Sequence, residues 1–175
     1  MNNCLVLTAC GQNRPDLLKQ LTLAVKESGC NIRESRMLRL GDEICLIMML
    51  AGPWDAIAKI EGLTDRLEKR LELNIIKKRT GPGAVADNQM PYAIDVVSFD
   101  HEGIVHAIVD FIFNNHISIQ ELTTTTYKAT NSNTTMFSLH MIINIPTDIS
   151  IASIRGDFMD FCDQLNLDAI IEPVK

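Results

Sequence analysis

Two short segments of the chain have the residue types of an anion-binding loop at a helix N-terminus. The first reads Gly11-Gln12-Asn13-Arg14-Pro15-Asp16-Leu17-Leu18 and the second Asp100-His101-Glu102-Gly103-Ile104-Val105. Each stands where an apolar run of strand length gives way to a helical stripe. A loop that enters a helix N-terminus presents backbone N–H groups without intrahelical partners, and these favour an anion. A carboxylate could therefore sit at residues 15–18 or 102–105, and Asn13 and Asp100 could accept from a cationic group beside it. Both residue types are also good helix caps, and the two roles are compatible. Gly103 lets backbone and ligand approach closely, whereas Asp16 fills the matching place in the first segment. His101 is a candidate contact or an exposed loop histidine without a role.

Other reactive residues lack partners at a working distance in sequence. The chain has no G-x-S-x-G, no phosphate-binding glycine loop, no paired metal ligands and no Cys/His constellation, so no catalytic residue, metal or cofactor is expected. Five cysteines, Cys4, Cys10, Cys30, Cys45 and Cys162, are odd in number and scattered. They read as buried thiols of a reducing compartment. His140 falls on the polar side of an alternating strand. Asp95 interrupts an apolar one, and must lie away from the helices or be hydrogen-bonded, because an unpaired buried carboxylate costs too much. Trp54 follows Pro53 at a helix start and is expected to pack.

The elements that position these residues come from a repeat. Leu17-Leu18, Leu21, Val25, Gly29-Cys30-Asn31-Ile32 and Glu34 recur as Ile104-Val105, Ile108, Ile112, His116-Ile117-Ser118-Ile119 and Glu121. In the first copy, the apolar run Cys4 to Cys10 predicts a strand. Pro15 offers a first-turn start for a helix striped by Leu17, Leu21 and Val25 and stopped by Gly29. Ile32 to Leu40 and Glu43 to Leu50 flank Gly41-Asp42 as a hairpin. Pro53 opens a second helix carrying Ile57, Ile60, Leu63, Leu67 and Leu71, and Leu73 to Lys78 closes the unit as a strand.

The second copy follows the same order. Its strands are Tyr92 to Ser98, Ile117 to Tyr127, Thr134 to Ile145 and Leu167 to Ile171, with a longer loop at Lys128 to Asn133. Its helices are striped by Ile104, Ile108 and Ile112 and by Ile151, Ile154, Phe158 and Phe161. The fold class is thus α+β, two tandem ferredoxin-like βαββαβ units with antiparallel sheets and the helices on one face of each. Residues 1–80 and 92–175 form the domains, joined by a Gly- and Pro-containing linker at 81–91. Edge strands at Ile32 to Leu40 and Ile117 to Tyr127 invite pairing with each other or across a homodimer.

Composition narrows the function. The formal charge is −6 and 46% of residues are hydrophobic. Direct nucleic-acid binding is disfavoured, since affinity for phosphates rests on cationic side chains. Arg66, Lys69, Arg70, Lys77, Lys78 and Arg79 form a local basic run, read as a solvated face or a dock for an acidic partner. No window has the apolar length of a membrane span, and no secretory leader begins the chain, which places it in the cytoplasm.

The first loop resembles the signature of ACT domains, in which Gly, a variable residue, Asp or Asn, Arg, Pro, Gly and Leu precede the helix and Gly-x-Asn-Ile follows it. Gly29-Cys30-Asn31-Ile32 supplies that second element, and His116-Ile117-Ser118-Ile119 takes its place in the second copy. The chain departs from the signature at Asp16, and Ser98, Glu102 and His116 replace Gly11, Pro15 and Gly29 in the second copy. A tandem pair of this length is similar to the glycine cleavage system transcriptional repressor family. That resemblance implies an amino-acid sensor, with glycine as ligand, that acts on a transcriptional activator as its protein partner. An amino-acid-responsive regulatory subunit of a metabolic enzyme is the alternative. The implied ligand contacts are Gly11, Asn13, Arg14, Asp16, Leu17, Asn31 and Ile32 in one copy, and Asp100, His101, Gly103, Ile104, Ser118 and Ile119 in the other.

Overall fold

A computed structural model describes residues 3–81, 88–130 and 132–174. The chain divides into two compact units, Met1–Val85 and Ala86–Lys175. The first contains β1 (Asn3–Gln12), α1 (Leu17–Ser28), β2 (Asn31–Leu40), β3 (Glu43–Gly52), α2 (Trp54–Leu71) and β4 (Leu73–Thr80). The second contains β5 (Gln89–Phe99), α3 (Ile104–Asn114), β6 (Ser118–Lys128), β7 (Thr135–Pro146), α4 (Ile151–Gln164) and β8 (Asp168–Pro173). The expected linker at 81–91 falls partly outside the described residues, and its last three positions, Gln89 to Pro91, belong to β5.

Both units use one plan. The sheets are antiparallel with strand orders β2-β3-β1-β4 and β6-β7-β5-β8. Alternation sends Leu5, Leu7 and Ala9 of β1 and Ile44, Leu46, Met48 and Leu50 of β3 to one face, where Leu17, Leu21 and Val25 of α1 and Ile57, Ile60 and Leu67 of α2 meet them. The second unit builds its own core from Ile94, Val96, Leu139, Met141 and Ile143 under Ile104, Ile108, Ile112, Ile154 and Phe158. There Phe111 joins α3 to α4, with ring centroids 5.3 Å from Phe158 and 4.9 Å from Phe161. Burying a side chain of this size stabilises the fold by about 1.5–3 kcal/mol.

The two copies also share backbone irregularities. A bulge breaks the register of β2 between Ile32 and Glu34, and of β6 between Ile119 and Glu121. Left-handed residues end the helices: Gly29 and His116 after the first helix of each unit, Glu72 and Asn166 after the second. Gly29 caps α1 as expected, its N–H donating to the Lys26 carbonyl at 3.0 Å.

Several local expectations change. Pro15 lies in a turn ahead of α1, where Leu17 N–H donates to the Arg14 carbonyl at 3.2 Å, and the helix starts two residues later. Trp54 is 64% exposed, because the α2 stripe that packs begins with Ala56 and Ile57. Only Cys4 and Cys162 are buried; Cys10, Cys30 and Cys45 are half-buried. Cys10 and Cys45 sit at strand positions that alternate onto the face the helices leave open.

Candidate functional site

Each β-to-α loop is tied to the neighbouring hairpin in the same way. Asn13 N–H donates to the Asp42 carbonyl at 3.0 Å, and Asp100 N–H to the Thr135 carbonyl at 3.1 Å. The N-cap positions fall at Asp16 and Gly103, three residues after Asn13 and Asp100, so Asn13 and Asp100 are not the N-cap residues of their helices. Neither N-cap residue makes a side-chain capping bond.

The two loops differ in what occupies the helix N-terminus. In the first, Asp16 is the N-cap residue, and its carboxylate turns to Arg14 Nε at 3.6 Å and accepts from Gln20 Nε2, not from the backbone N–H groups. In the second, Gly103 takes the N-cap at φ 88°, and a Cβ built on it would meet nothing within 4 Å. Asp100, His101, Glu102 and Gly103 are all exposed. His101 Nδ1 lies 3.1 Å from the Glu102 carbonyl. The second loop can therefore receive an anion on free backbone donors, with the Asp100 carboxylate nearby for a cation.

The remaining expected contacts are placed as follows. Leu17 and Ile104 bury their side chains in the cores, at 1% and 2% exposure, which leaves only their backbone to a ligand. Gly11 has a steric role: a Cβ there would come within 2.8 Å of the Glu72 carbonyl oxygen. Asn31 is exposed and Ile32 packs partly against the first core. Ser118 Oγ reaches the Asn144 carbonyl at 3.5 Å, and Ile119 is 36% exposed. Within a unit these fall into separate groups. Gln12 pairs with Glu43 while Asn31 pairs with Ala51, eight residues along β3. Phe99 pairs with Met136 while Ser118 pairs with Asn144, again eight residues along β7. At the strand rise this parts loop from strand start by about 26 Å in each unit.

Three clusters emerge only from the fold. Asp95 lies on the open face of the second sheet, with Oδ1 2.7 Å from His140 Nδ1 on the adjacent strand. That arrangement satisfies the carboxylate as its sequence position required. Cys10 and Cys45 face each other across β1 and β3; their positions, 35 residues apart, gave no sequence signal. A groove of about 280 Å³ between α1 and α2 is lined by Ala24, Glu27, Leu63, Arg66, Leu67 and Arg70. The i, i+4 spacing of Arg66 and Arg70 was its one sequence signature. The rest of the basic run is partly neutralised. Arg79 Nη2 binds Glu61 Oε2 at 2.6 Å, and Lys77 Nζ bonds to Thr64 Oγ1 at 2.6 Å and approaches Asp65 Oδ1 at 3.5 Å. The hydrogen bond from Arg79 holds the Glu61 carboxyl below the usual carboxylate range. Burial pushes the Cys162 thiol up to about 11, and no potential metal-binding group of three or more His, Cys, Asp or Glu residues occurs among the described residues.

Comparison with known proteins agrees with this architecture. A family model described as the ACT domain matches residues 3–76. The glycine cleavage system transcriptional repressor of Escherichia coli (strain K12) is 31% identical over 172 residues, covering 97% of this chain and 90% of that protein. Among solved structures, an unknown protein from Galdieria sulphuraria has a TM-score of 0.81 at 21% identity, over 100% of both chains. A crystal structure provisionally assigned to a glycine cleavage system transcriptional repressor has a TM-score of 0.74 at 23% identity, over 100% of this chain and 99% of its own. At these identities the two structures bear on the fold. The aligned identity to the bacterial repressor runs through both βαββαβ units, and on it the chain belongs to the glycine cleavage system transcriptional repressor family of ACT-domain proteins.

Proposed function

We propose that this protein is a non-catalytic, amino-acid-responsive regulator that acts on glycine cleavage genes through a protein partner such as a transcriptional activator. The supporting relative is named as a repressor of that system, which is the ground for glycine as ligand. A formal charge of −6 supports action through a protein and not by direct grip on operator DNA. Two ACT domains, at residues 1–80 and 92–175, would carry the sensor in the cytoplasm, as a homodimer; light scattering across a concentration series tests the last point.

The observation that carries the ligand assignment is the contrast between Asp16 and Gly103. The first N-cap carries a carboxylate side chain held by Arg14 and Gln20, whereas the second N-cap is a glycine with open space at its Cβ position. The ligand carboxylate is therefore assigned to the backbone at 102–105, and its ammonium group to Asp100. Calorimetric titration with glycine and the other amino acids tests this on the wild type, Asn13→Ala, Asp100→Ala and Gly103→Val. Loss of the Asp100 contact should cost about 0.5–3 kcal/mol, roughly a two-fold to hundred-fold loss of affinity. Gly103→Val should cost more, after correction for folded fraction, and Asn13→Ala should bind as the wild type. Unchanged binding in all three variants would remove both loops from consideration.

A further inference from the structure

We propose that Cys10 and Cys45 form a reversible dithiol–disulfide pair, a redox modification site on the open face of the first sheet. The two residues are directly opposed in the antiparallel β1–β3 register, with their Sγ atoms in direct contact, 2.7 Å apart. Opposed residues of an antiparallel pair have Cα atoms about 4.5–5.5 Å apart, inside the range a disulfide spans. The strand spacing is therefore compatible with the bond.

Access distinguishes this pair from the other thiols. Both residues are half-buried on the face without helices, whereas Cys4 and Cys162 are 2% and 0% exposed. Cys30 is at the far end of the sheet, its sulfur 3.4 Å from a Cβ built on Gly52, which pairs with Asn3. Around the pair, Cys10 is flanked by Asn74 of β4 and Cys45 by Leu38 of β2. The neighbouring Cys45, then burial, and last the charge of Glu43, two residues before Cys45, raise the Cys10 thiol.

Either thiol can open the exchange as its thiolate, and the steps with Cys45 attacking hold equally with the two sulfurs exchanged. The co-reactant is a low-molecular-weight disulfide such as oxidised glutathione. The Cys45 thiolate attacks one of its sulfurs, breaking the S–S bond and releasing one glutathione thiolate. Cys10 then gives its proton to solvent and displaces the second glutathione from Cys45. The protein dithiol is oxidised by two electrons, and one glutathione disulfide is reduced to two thiols. Reduced glutathione in excess drives the same steps backward. Cys10 directly precedes Gly11 and the first β-to-α loop, so the cross-link would fix β1 to β3 at the end of the sheet from which that loop departs.

The test uses the full folded chain, equilibrated with mixtures of oxidised and reduced glutathione, quenched by alkylation and digested without reduction. The expected product is a peptide pair linked through Cys10 and Cys45. The intact mass should be lower by two hydrogens, with three cysteines still alkylated after denaturation. Excess reduced glutathione should restore the starting mass. Cys10→Ser and Cys45→Ser, checked for folding by circular dichroism, should each stop at one glutathione adduct. Unmodified thiols, adducts without a cross-link in the wild type, a bond to another cysteine or to a second chain, or failure to reverse would each overturn the proposal.

Discussion

His116 holds φ 58° at the place where the first unit has Gly29 at φ 80°. A side chain in this left-handed region costs about 1–2 kcal/mol, and a glycine there returns part of that through its freedom in the unfolded chain, about 0.5–1 kcal/mol. His116→Gly should therefore stabilise the protein by roughly 0.5–1 kcal/mol, visible as a higher chemical denaturation midpoint at unchanged slope. Gly11 tests the opposite case. It pairs with Leu73, and an added Cβ would lie 2.8 Å from the Glu72 carbonyl oxygen, so Gly11→Ala should destabilise by about 1–3 kcal/mol. Its counterpart Ser98 lies just past the last β5–β8 pair, Val97 with Asp168, and has room for its hydroxyl to reach the Phe99 carbonyl. Ser98→Gly should not gain the stability that Gly11→Ala loses, and thermal melts of both variants check the contrast. These glycine substitutions were visible in the sequence as departures from a motif. Their reasons were not, because one is a dihedral angle and the other a close approach between strands.

At the scale of elements, helices and strands were legible because each pairs a simple apolar period with a stop signal. Leu17, Leu21 and Val25 followed by Gly29, or Phe137, Leu139 and Met141 alternating with Ser138 and His140, leave little choice. The bulges at residues 33 and 120 were not legible, since a single extra residue in an exposed edge strand changes no apolar pattern. The basic run was legible as charge but not as pairing, because its acids lie on α2 while Lys77 and Arg79 lie on β4. One consequence is measurable. The Glu61 carboxyl is depressed in the folded state, so its contribution to stability is present above the ordinary carboxylate pKa and is lost as pH falls through the lower folded value. Arg79→Gln should thus lower the melting temperature at neutral pH, and the gap to wild type should close on acidification below about pH 4. A gap that is constant with pH would mean that the pair contributes nothing specific to stability.

Over the whole molecule, the duplication was readable because the offset between copies stayed constant from the first helix to the second strand. The fold preserves it in features that no side chain encodes: the same bulge, the same left-handed helix ends, and the same backbone tether from loop to hairpin. The candidate site was only half readable. A motif written as Gly-x-Asn-Arg-Pro and then Gly-x-Asn-Ile reads as one constellation along the chain, but a helix separates the two parts, and α1 and α3 return the chain to the opposite end of the sheet. In the second unit about 26 Å lie between the level of the Asp100 loop and that of Ser118, far more than a free amino acid can bridge. Energetic independence follows from that distance. Asp100→Ala and Ser118→Ala, combined in one chain, should change ligand affinity by the sum of their separate effects, to within about 0.3–0.5 kcal/mol. A double-mutant cycle measured by calorimetry reads that sum directly, and a coupling well outside the range would contradict a ligand confined to one end of the sheet.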